Sequence, residues 1–467
     1  MKELRRNMRF VGTLLVVMFI GLAVWFAMTV YSQGSIWASD VRNNRLRAAN
    51  SLRGDITDRD GNLLATTTAD GDREYVKNDA ARRALSQTVG DTAGMSGTGI
   101  ETFYSSTLLD ISGSLLDRLS ELFHSRNHVG SSIRITVDGP LQAYVAQAFP
   151  EGYRGAVCVT NYKTGEILAM VSMPSYDPYD LAGRAEAVED TAFLNRCLQG
   201  LYTPGSVFKI VTLASALEND ANVAGQKFSC SGEWRYEGGR VICAGGTAHG
   251  TVNLLGAFRQ SCNVTFGKLA YQLGAQRLSE TAERFGFNEN FKFGDFVIYN
   301  SAFPEDIDDA NGLVWAGIGQ GQVLVTPLHM AMIAGAVANG GTMMKPWLID
   351  KIANTQGAAT VTGAPQAYRR IMSEATAETI AGYMRKTVEG GTAARAAIEG
   401  LAVCGKTGSA EVSDDKTVET NAWFTGFIDE DEHPYAIAVV IEGGGAGARM
   451  PSELAAKALK KTIECVG

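Results

Sequence analysis

Ser206 and Lys209 stand three residues apart in "YTPGSVFKIVTLASAL" (202–217), a serine and a lysine inside a long, largely apolar run. On a helix, positions i and i+3 share a face, so the spacing predicts a hydroxyl and an amine side by side. Pro204 suits the entry to a helix, and Gly205 allows a sharp turn there. Ser206 is then expected at a helix N-terminus, where free backbone N–H groups favour a developing oxyanion. Apolar neighbours penalise the ammonium form of Lys209. Neutral, it can take the proton from the serine hydroxyl and turn it into a nucleophile. The competing reading is a serine N-cap beside a snorkelling surface lysine, because S-x-x-K arises often by chance.

In serine penicillin-recognising enzymes, S-x-x-K is joined by an S-x-N element and by K-T-G. Both are present here, and each occurs twice. Ser261-Cys262-Asn263 follows a helical stretch, whereas Ser125-Arg126-Asn127 precedes the larger part of the chain. Lys406-Thr407-Gly408 sits on the strand-like "LAVCGKTGSA", whereas Lys163-Thr164-Gly165 is the turn of a polar hairpin. A second S-x-x-K, Ser413 to Lys416, is a polar loop in which nothing would desolvate the lysine. Order and setting therefore single out Ser206, Ser261 and Lys406. A Ser-His-Asp triad has little support: His124, His128, His249, His329 and His433 are scattered, and no G-x-S-x-G precedes Ser206.

These residues need a scaffold, and 467 residues are enough for two domains, one with a substantial core. "GAVCVT" and "EILAMVSM" flank "NYKTG" as a hairpin. A helix-rich middle runs from about 190 to 400. "LAVCGKTGSA", "NAWFTGFI" and "YAIAVVIEGG" then add strands, and an amphipathic helix from about Ser452 to Glu464 closes the chain. Strands, many helices, strands and a helix imply an α+β sheet completed by the two ends of the region, with a helical insert. Residues 32–140 look like a small, loop-rich α+β module, with "DRDG" (58–61) as a turn between short strands.

Lys2, Arg5, Arg6 and Arg9 precede an uncharged run from Phe10 to Tyr31, 22 residues or roughly 33 Å of helix, enough to cross a hydrocarbon core. A cleavable signal peptide would have a shorter apolar region, about 7–15 residues. The segment is expected to be an uncleaved anchor (10–31), with residues 1–9 cytoplasmic and the rest outside the membrane. A net charge of −8 argues against a nucleic-acid partner. Among seven cysteines, Cys230 and Cys243 bracket two short strands with a Gly238-Gly239 turn, so they are either a disulfide or two unpaired thiols. There is no C-x-x-C and no evident ligand cluster, so no metal site is expected.

Taken together, the motifs resemble those of a class B penicillin-binding protein over nearly the whole length. "RGDITDRDGNLLA" (53–65) and "GIETFY" (99–104) are similar to that family's segments just outside the membrane. "TGEILAMVSMPSYDP", "HGTVNL", "GIGQGQVLVTPLHMA", "GGTA" and "GKTGSAE" are similar to stretches of its catalytic domain, and the outer module is short for the family. The resemblance implies a penicillin-recognising transpeptidase fold over 141–467, an antiparallel sheet with flanking helices and a helical subdomain, behind a small pedestal. It implies that Ser206 is acylated, Lys209 is its base, Ser261 relays a proton and Asn263 holds a peptide carbonyl. Lys406 would add positive charge near both serines, and Thr407 would bind a carboxylate. The N–H groups of Ser206 and Ser409 would form the oxyanion hole, and Gly408 would leave room for substrate along the strand edge.

The substrates implied are peptidoglycan stem peptides and β-lactam antibiotics. A SEDS-type glycosyltransferase would be the membrane partner, and no metal or organic cofactor is needed. A D,D-carboxypeptidase and a β-lactamase share the serine and the lysine but use water as acceptor. A β-lactam sensor or a scaffold would be a different class of protein.

Overall fold

The computed structural model describes residues 2–38, 51–110, 128–181, 189–291, 293–411, 419–445 and 449–467. Ser125-Arg126-Asn127 and the Ser413–Lys416 loop lie outside them. Among the described residues, no helix is long and apolar enough to cross a membrane. The uncharged run lies on the helix Lys2–Ala38.

A five-stranded sheet forms the frame, in the order Val403–Ala410, Asn421–Ile428, Tyr435–Glu442, Arg154–Asn161, Ile167–Met173. Every neighbouring pair is antiparallel. The hairpin around Lys163-Thr164-Gly165 is as expected, and so is the joining of the two ends of the region. Tyr435–Glu442 pairs with Arg154–Asn161, with Val439 opposite Val157 and Ala438 opposite Cys158.

The period-2 alternation of these strands separates two kinds of face. Val157, Val159, Ile437, Val439 and Ile441 pack with Leu141 and Val145 of the helix Gly139–Ala148 and with Leu454 and Leu459 of Arg449–Val466. Each such side chain, fully buried, contributes about 1.5–3 kcal/mol before entropy is counted. The opposite face carries Ala156, Cys158, Ala436 and Ala438. Those small residues admit the helix Pro327–Ala338 at close range; a Cβ on Gly335 would lie 2.9 Å from that of Tyr162 and 3.5 Å from that of Ala436. This helix is apolar nearly all round and buried on all sides, as such a pattern requires.

Around this frame lie the helices Lys209–Asn219, Asn263–Arg284 and Ala310–Gly317. A second, six-stranded sheet runs Ala359–Thr362, Ile349–Ala353, Ser132–Ile135, Ile56–Thr57, Leu63–Thr67, Arg73–Tyr75. Strands from before residue 140 thus continue into strands from the helix-rich middle. The "DRDG" turn is made by Asp58, whose Oδ1 accepts from the N–H groups of Asp60 (3.1 Å) and Asn62 (2.8 Å). Glu101 of "GIETFY" is buried and holds Arg53 at 2.8 Å and Arg73 at 2.6 Å, which ties the two outer segments together.

The narrow gap between helix and sheet generates a test. Gly335→Leu should overpack it and lower stability by about 1–3 kcal/mol, read as a lower melting temperature by circular dichroism. An unchanged melting temperature would contradict the close approach at Tyr162 and Ala436.

Candidate active site

Ser206 lies on a 3₁₀ turn, Gly205–Phe208, that leads directly into the α-helix Lys209–Asn219. The sequence pointed to the N-terminus of an α-helix; the tighter turn changes the geometry. With three residues per turn, positions i and i+3 eclipse, so Ser206 and Lys209 stand in line.

Glycines let the neighbouring backbone close on this turn. Gly205 has φ +56°, and a Cβ there would come within 2.6 Å of the Ser409 carbonyl oxygen. Its N–H donates to the Gly319 carbonyl at 2.8 Å. Trp423 Nε1–H donates to the Thr203 carbonyl at 3.1 Å. Gly408 serves the same end: a Cβ would lie 2.8 Å from the Pro204 carbonyl oxygen. The space it leaves is filled by the chain that leads into the turn of Ser206.

Lys209 is fully buried, and its Nζ donates to the Ser261 carbonyl (2.8 Å), Ser261 Oγ (3.2 Å) and Asn263 Oδ1 (2.7 Å). Lys406, also fully buried, reaches the same Ser261 Oγ at 3.0 Å and the Thr407 carbonyl at 2.8 Å. Burial lowers the pKa of Lys209 to about 7. Burial first, and then the charge of Lys209, pushes Lys406 well below the ordinary lysine value. Two ammonium groups on one hydroxyl repel, so the arrangement favours one protonated amine and one neutral. Ser261 Oγ, able both to donate and to accept, suits either distribution. The rings of Phe266 (5.5 Å from Lys209 Nζ) and Phe258 (5.6 Å from Lys406 Nζ) offer their faces to whichever charge is present.

Ser261 adopts φ +54°, a left-handed conformation that costs a β-carbon residue about 1–3 kcal/mol. Asn263 begins the helix Asn263–Arg284, and its Nδ2–H donates to the Ile242 carbonyl at 2.8 Å. Thr407 Oγ1–H donates to Thr392 Oγ1 at 2.7 Å. Ser206, Ser261, Asn263, Thr407, Gly408 and Ser409 all border one cavity of about 350 Å³. Lys209 and Lys406 lie beneath it. Thr392, Gln260, Thr247 and His249 also border it. No role was read for these four from the sequence, although "GGTA" and "HGTVNL" contain two of them.

The expectation for cysteine and histidine needs correcting. Cys230, Cys243, His249 and Cys262 converge, with ligand atoms all within 4.8 Å of one another, although no two of them are close enough in sequence to form a short motif. Cys230 and Cys243 are unbonded thiols with sulfurs 3.6 Å apart; they flank the paired strands Glu233–Tyr236 and Gly239–Ile242, whose turn is Glu237-Gly238, one residue earlier than expected. His249 is therefore no bystander. His329 is a buried core residue, its Nδ1 2.7 Å from Ser301 Oγ and its Nε2 2.9 Å from the Phe285 carbonyl, and burial lowers its pKa to about 4.

Residues 155–464 match the family model for the penicillin binding protein transpeptidase domain. The chain is 31% identical to the peptidoglycan D,D-transpeptidase PbpA of Mycolicibacterium smegmatis, over 94% of each chain. Its fold is similar to that of penicillin-binding protein A from Mycobacterium tuberculosis in a ceftriaxone acyl-enzyme complex. The TM-score there is 0.82 at 27% identity, over 90% of this chain and 100% of the other. The D,D-transpeptidase domain of a peptidoglycan glycosyltransferase from Eggerthella lenta gives a TM-score of 0.76 at 31% identity, over 90% of this chain and 99% of that one. With its serine and its edge strand on one cavity and two buried lysines beneath it, the chain belongs to the penicillin-binding protein transpeptidase family.

Proposed function

We propose that this chain is a peptidoglycan D,D-transpeptidase that works through an acyl-enzyme on Ser206. The observation that carries the reading is the meeting of two buried lysines on Ser261 Oγ beneath the cavity that Ser206 borders. Neutral Lys209 takes the Ser206 hydroxyl proton as Oγ attacks the penultimate D-Ala carbonyl of a stem peptide. The C–N bond breaks, and Ser261 passes a proton to the departing D-Ala amine. An amine of a neighbouring stem then attacks the ester, forming the cross-link and restoring the Ser206 hydroxyl. The N–H groups of Ser206 and Ser409 hold the oxyanion. Asn263 orients a peptide carbonyl, and Thr407 binds the terminal carboxylate. Val403–Ala410 is the last strand of its sheet, so a peptide can add along its outer edge. β-Lactams acylate the same serine, in line with the acyl-enzyme structures of the similar Mycobacterium tuberculosis protein.

In the same reading, residues 10–31 anchor the chain in the membrane with residues 1–9 cytoplasmic. Residues 32–140 are the pedestal and 141–467 the transpeptidase domain. A SEDS-type glycosyltransferase in the membrane supplies the glycan strand. The support is the uncharged run behind four basic residues and the family match over 155–464.

Product analysis by mass spectrometry tests the reaction. With a stem-peptide donor and an acceptor amine, the wild type should give a cross-linked product, and Ser206→Ala should give none and take up no fluorescent penicillin. Hydrolysis alone across a range of acceptors would make the chain a carboxypeptidase instead. The base assignment predicts a pH dependence. Lys209 is neutral above its depressed pKa of about 7, so the rate of penicillin acylation should rise as pH increases through about 7 and then level. Lys209→Met should remove that step and slow acylation by about 10²–10⁴-fold; an unchanged profile in the variant would overturn the role. Deleting residues 1–31 should move the chain from the membrane fraction to the soluble one, and retention in the membrane would count against the anchor.

A further inference from the structure

Cys230, Cys243, His249 and Cys262 are 13, 6 and 13 residues apart in sequence, and the fold brings them together from four separate places. Cys230 ends the strand Lys227–Cys230, and Cys243 follows Gly239–Ile242. His249 precedes Gly250–Asn253, and Cys262 caps the helix Asn263–Arg284. The three sulfurs are buried, and the imidazole is half-buried. Cys230 Sγ lies 3.6 Å from Cys243 Sγ and 3.4 Å from His249 Nδ1, and Cys243 Sγ lies 3.8 Å from Cys262 Sγ.

These three distances match edges of a tetrahedron, and the remaining pairs of ligand atoms lie within 4.8 Å. A Zn²⁺ ion with Zn–S near 2.3 Å and Zn–N near 2.0 Å sets sulfurs about 3.8 Å apart and sulfur and nitrogen about 3.5 Å apart. A disulfide would need the sulfurs at about 2.05 Å.

A second observation points the same way. The sulfurs accept hydrogen bonds from polar groups that would support thiolates: Thr265 N–H (3.4 Å) and Thr265 Oγ1–H (3.2 Å) to Cys262, and Gly232 N–H (3.4 Å) to Cys230. Metal-bound ligands are held in this way by outer partners. Four protein ligands leave no open position, which marks a structural site and not a catalytic one. Three thiolates and one imidazole in a tetrahedron favour zinc over the harder divalent ions.

The geometry points to a structural zinc site formed by Cys230, Cys243, His249 and Cys262, which fixes the residue between Ser261 and Asn263. Binding releases the thiol protons to solvent and forms four coordinate bonds without redox change. The site joins two small strand pairs that share no ladder with the five-stranded sheet. It also anchors the loop 243–250, in which Gly245, Gly246 and Gly250 all have positive φ and Ala244, Thr247 and His249 border the cavity. The metal would hold both the wall of the cavity and the backbone that presents Ser261 and Asn263 to Lys209. His249, reached from the cavity, gives the ion its way in.

The test is metal analysis of the full chain, purified in detergent without chelator, followed by cobalt substitution. The expected result is close to one zinc ion per chain, and a cobalt form whose spectrum shows tetrahedral geometry with thiolate charge transfer. Thr265→Val, which removes a donor to Cys262 and keeps its volume, should weaken zinc retention by about 10–100-fold. A chain without zinc whose cysteines all react as free thiols on denaturation would overturn the site. So would an intact mass showing a Cys230–Cys243 disulfide. Both measurements on the wild type stand whatever the variant does, and neither depends on the acyl-transfer reaction. If fluorescent penicillin still labels Ser206 in a chain without zinc, the site fails while the proposed chemistry stands.

Discussion

Two lysine amines held on one serine hydroxyl, away from water, are the constraint around which this structure is arranged. Taking even one ammonium out of water is costly, and placing a second beside it compounds the cost. The structure meets that cost with acceptors: the Ser261 carbonyl, Asn263 Oδ1 and the Thr407 carbonyl, with two phenyl faces behind them. The remaining imbalance is resolved by protonation, since a depressed pKa lets one amine be neutral. A neutral amine beside a serine is what acyl transfer requires. In the proposed mechanism, the electrostatic burden of the fold and the source of its reactivity are the same feature.

That feature sets demands on the backbone. Lys406 comes from the edge strand, Lys209 from the start of a helix, and Ser261 from a loop in a left-handed conformation. To bring the three within hydrogen-bond distance, strand, turn and loop must approach closer than side chains permit. Gly205, Gly319 and Gly408 mark those contacts; a Cβ at any of them would strike a backbone oxygen. The sheet behind them is rigid because its two faces are matched to their partners, large aliphatics toward two amphipathic helices and small residues toward one apolar helix. Strain at Ser261 persists because the two residues that follow it are held in place. Cys262 belongs to the thiol cluster, and Asn263 is bonded to Lys209 and Ile242.

Much of this was legible in the order of motifs. Ser206, Lys209, Ser261, Asn263, Lys406, Thr407, Gly408 and Ser409 were all named from the sequence, and the structure brings them to one cavity or directly beneath it. The strands of the central sheet followed from alternation and turn residues, because periodicity is local. Three things were less accessible. The turn at Ser206 is 3₁₀, a choice made by contacts with Ser409 and Gly319 that lie far off in the chain. The function of Gly408 depends on Pro204, about two hundred residues away. The outer sheet takes strands from both sides of residue 140, which no composition shift announces.

The sequence by itself determined which residues are the candidates for the proposed chemistry, and their order, since these rest on residue type and on spacing within single turns. It also determined the alternating and helical patterns from which the frame is built. Only the tertiary structure decided which charges meet, because pKa values depend on burial and neighbours that spacing does not encode. The four-residue cluster around Cys262 shows the limit most clearly. Its members are spread over more than thirty residues and fit no short ligand motif, so their convergence exists only once four separate segments have been folded against one another.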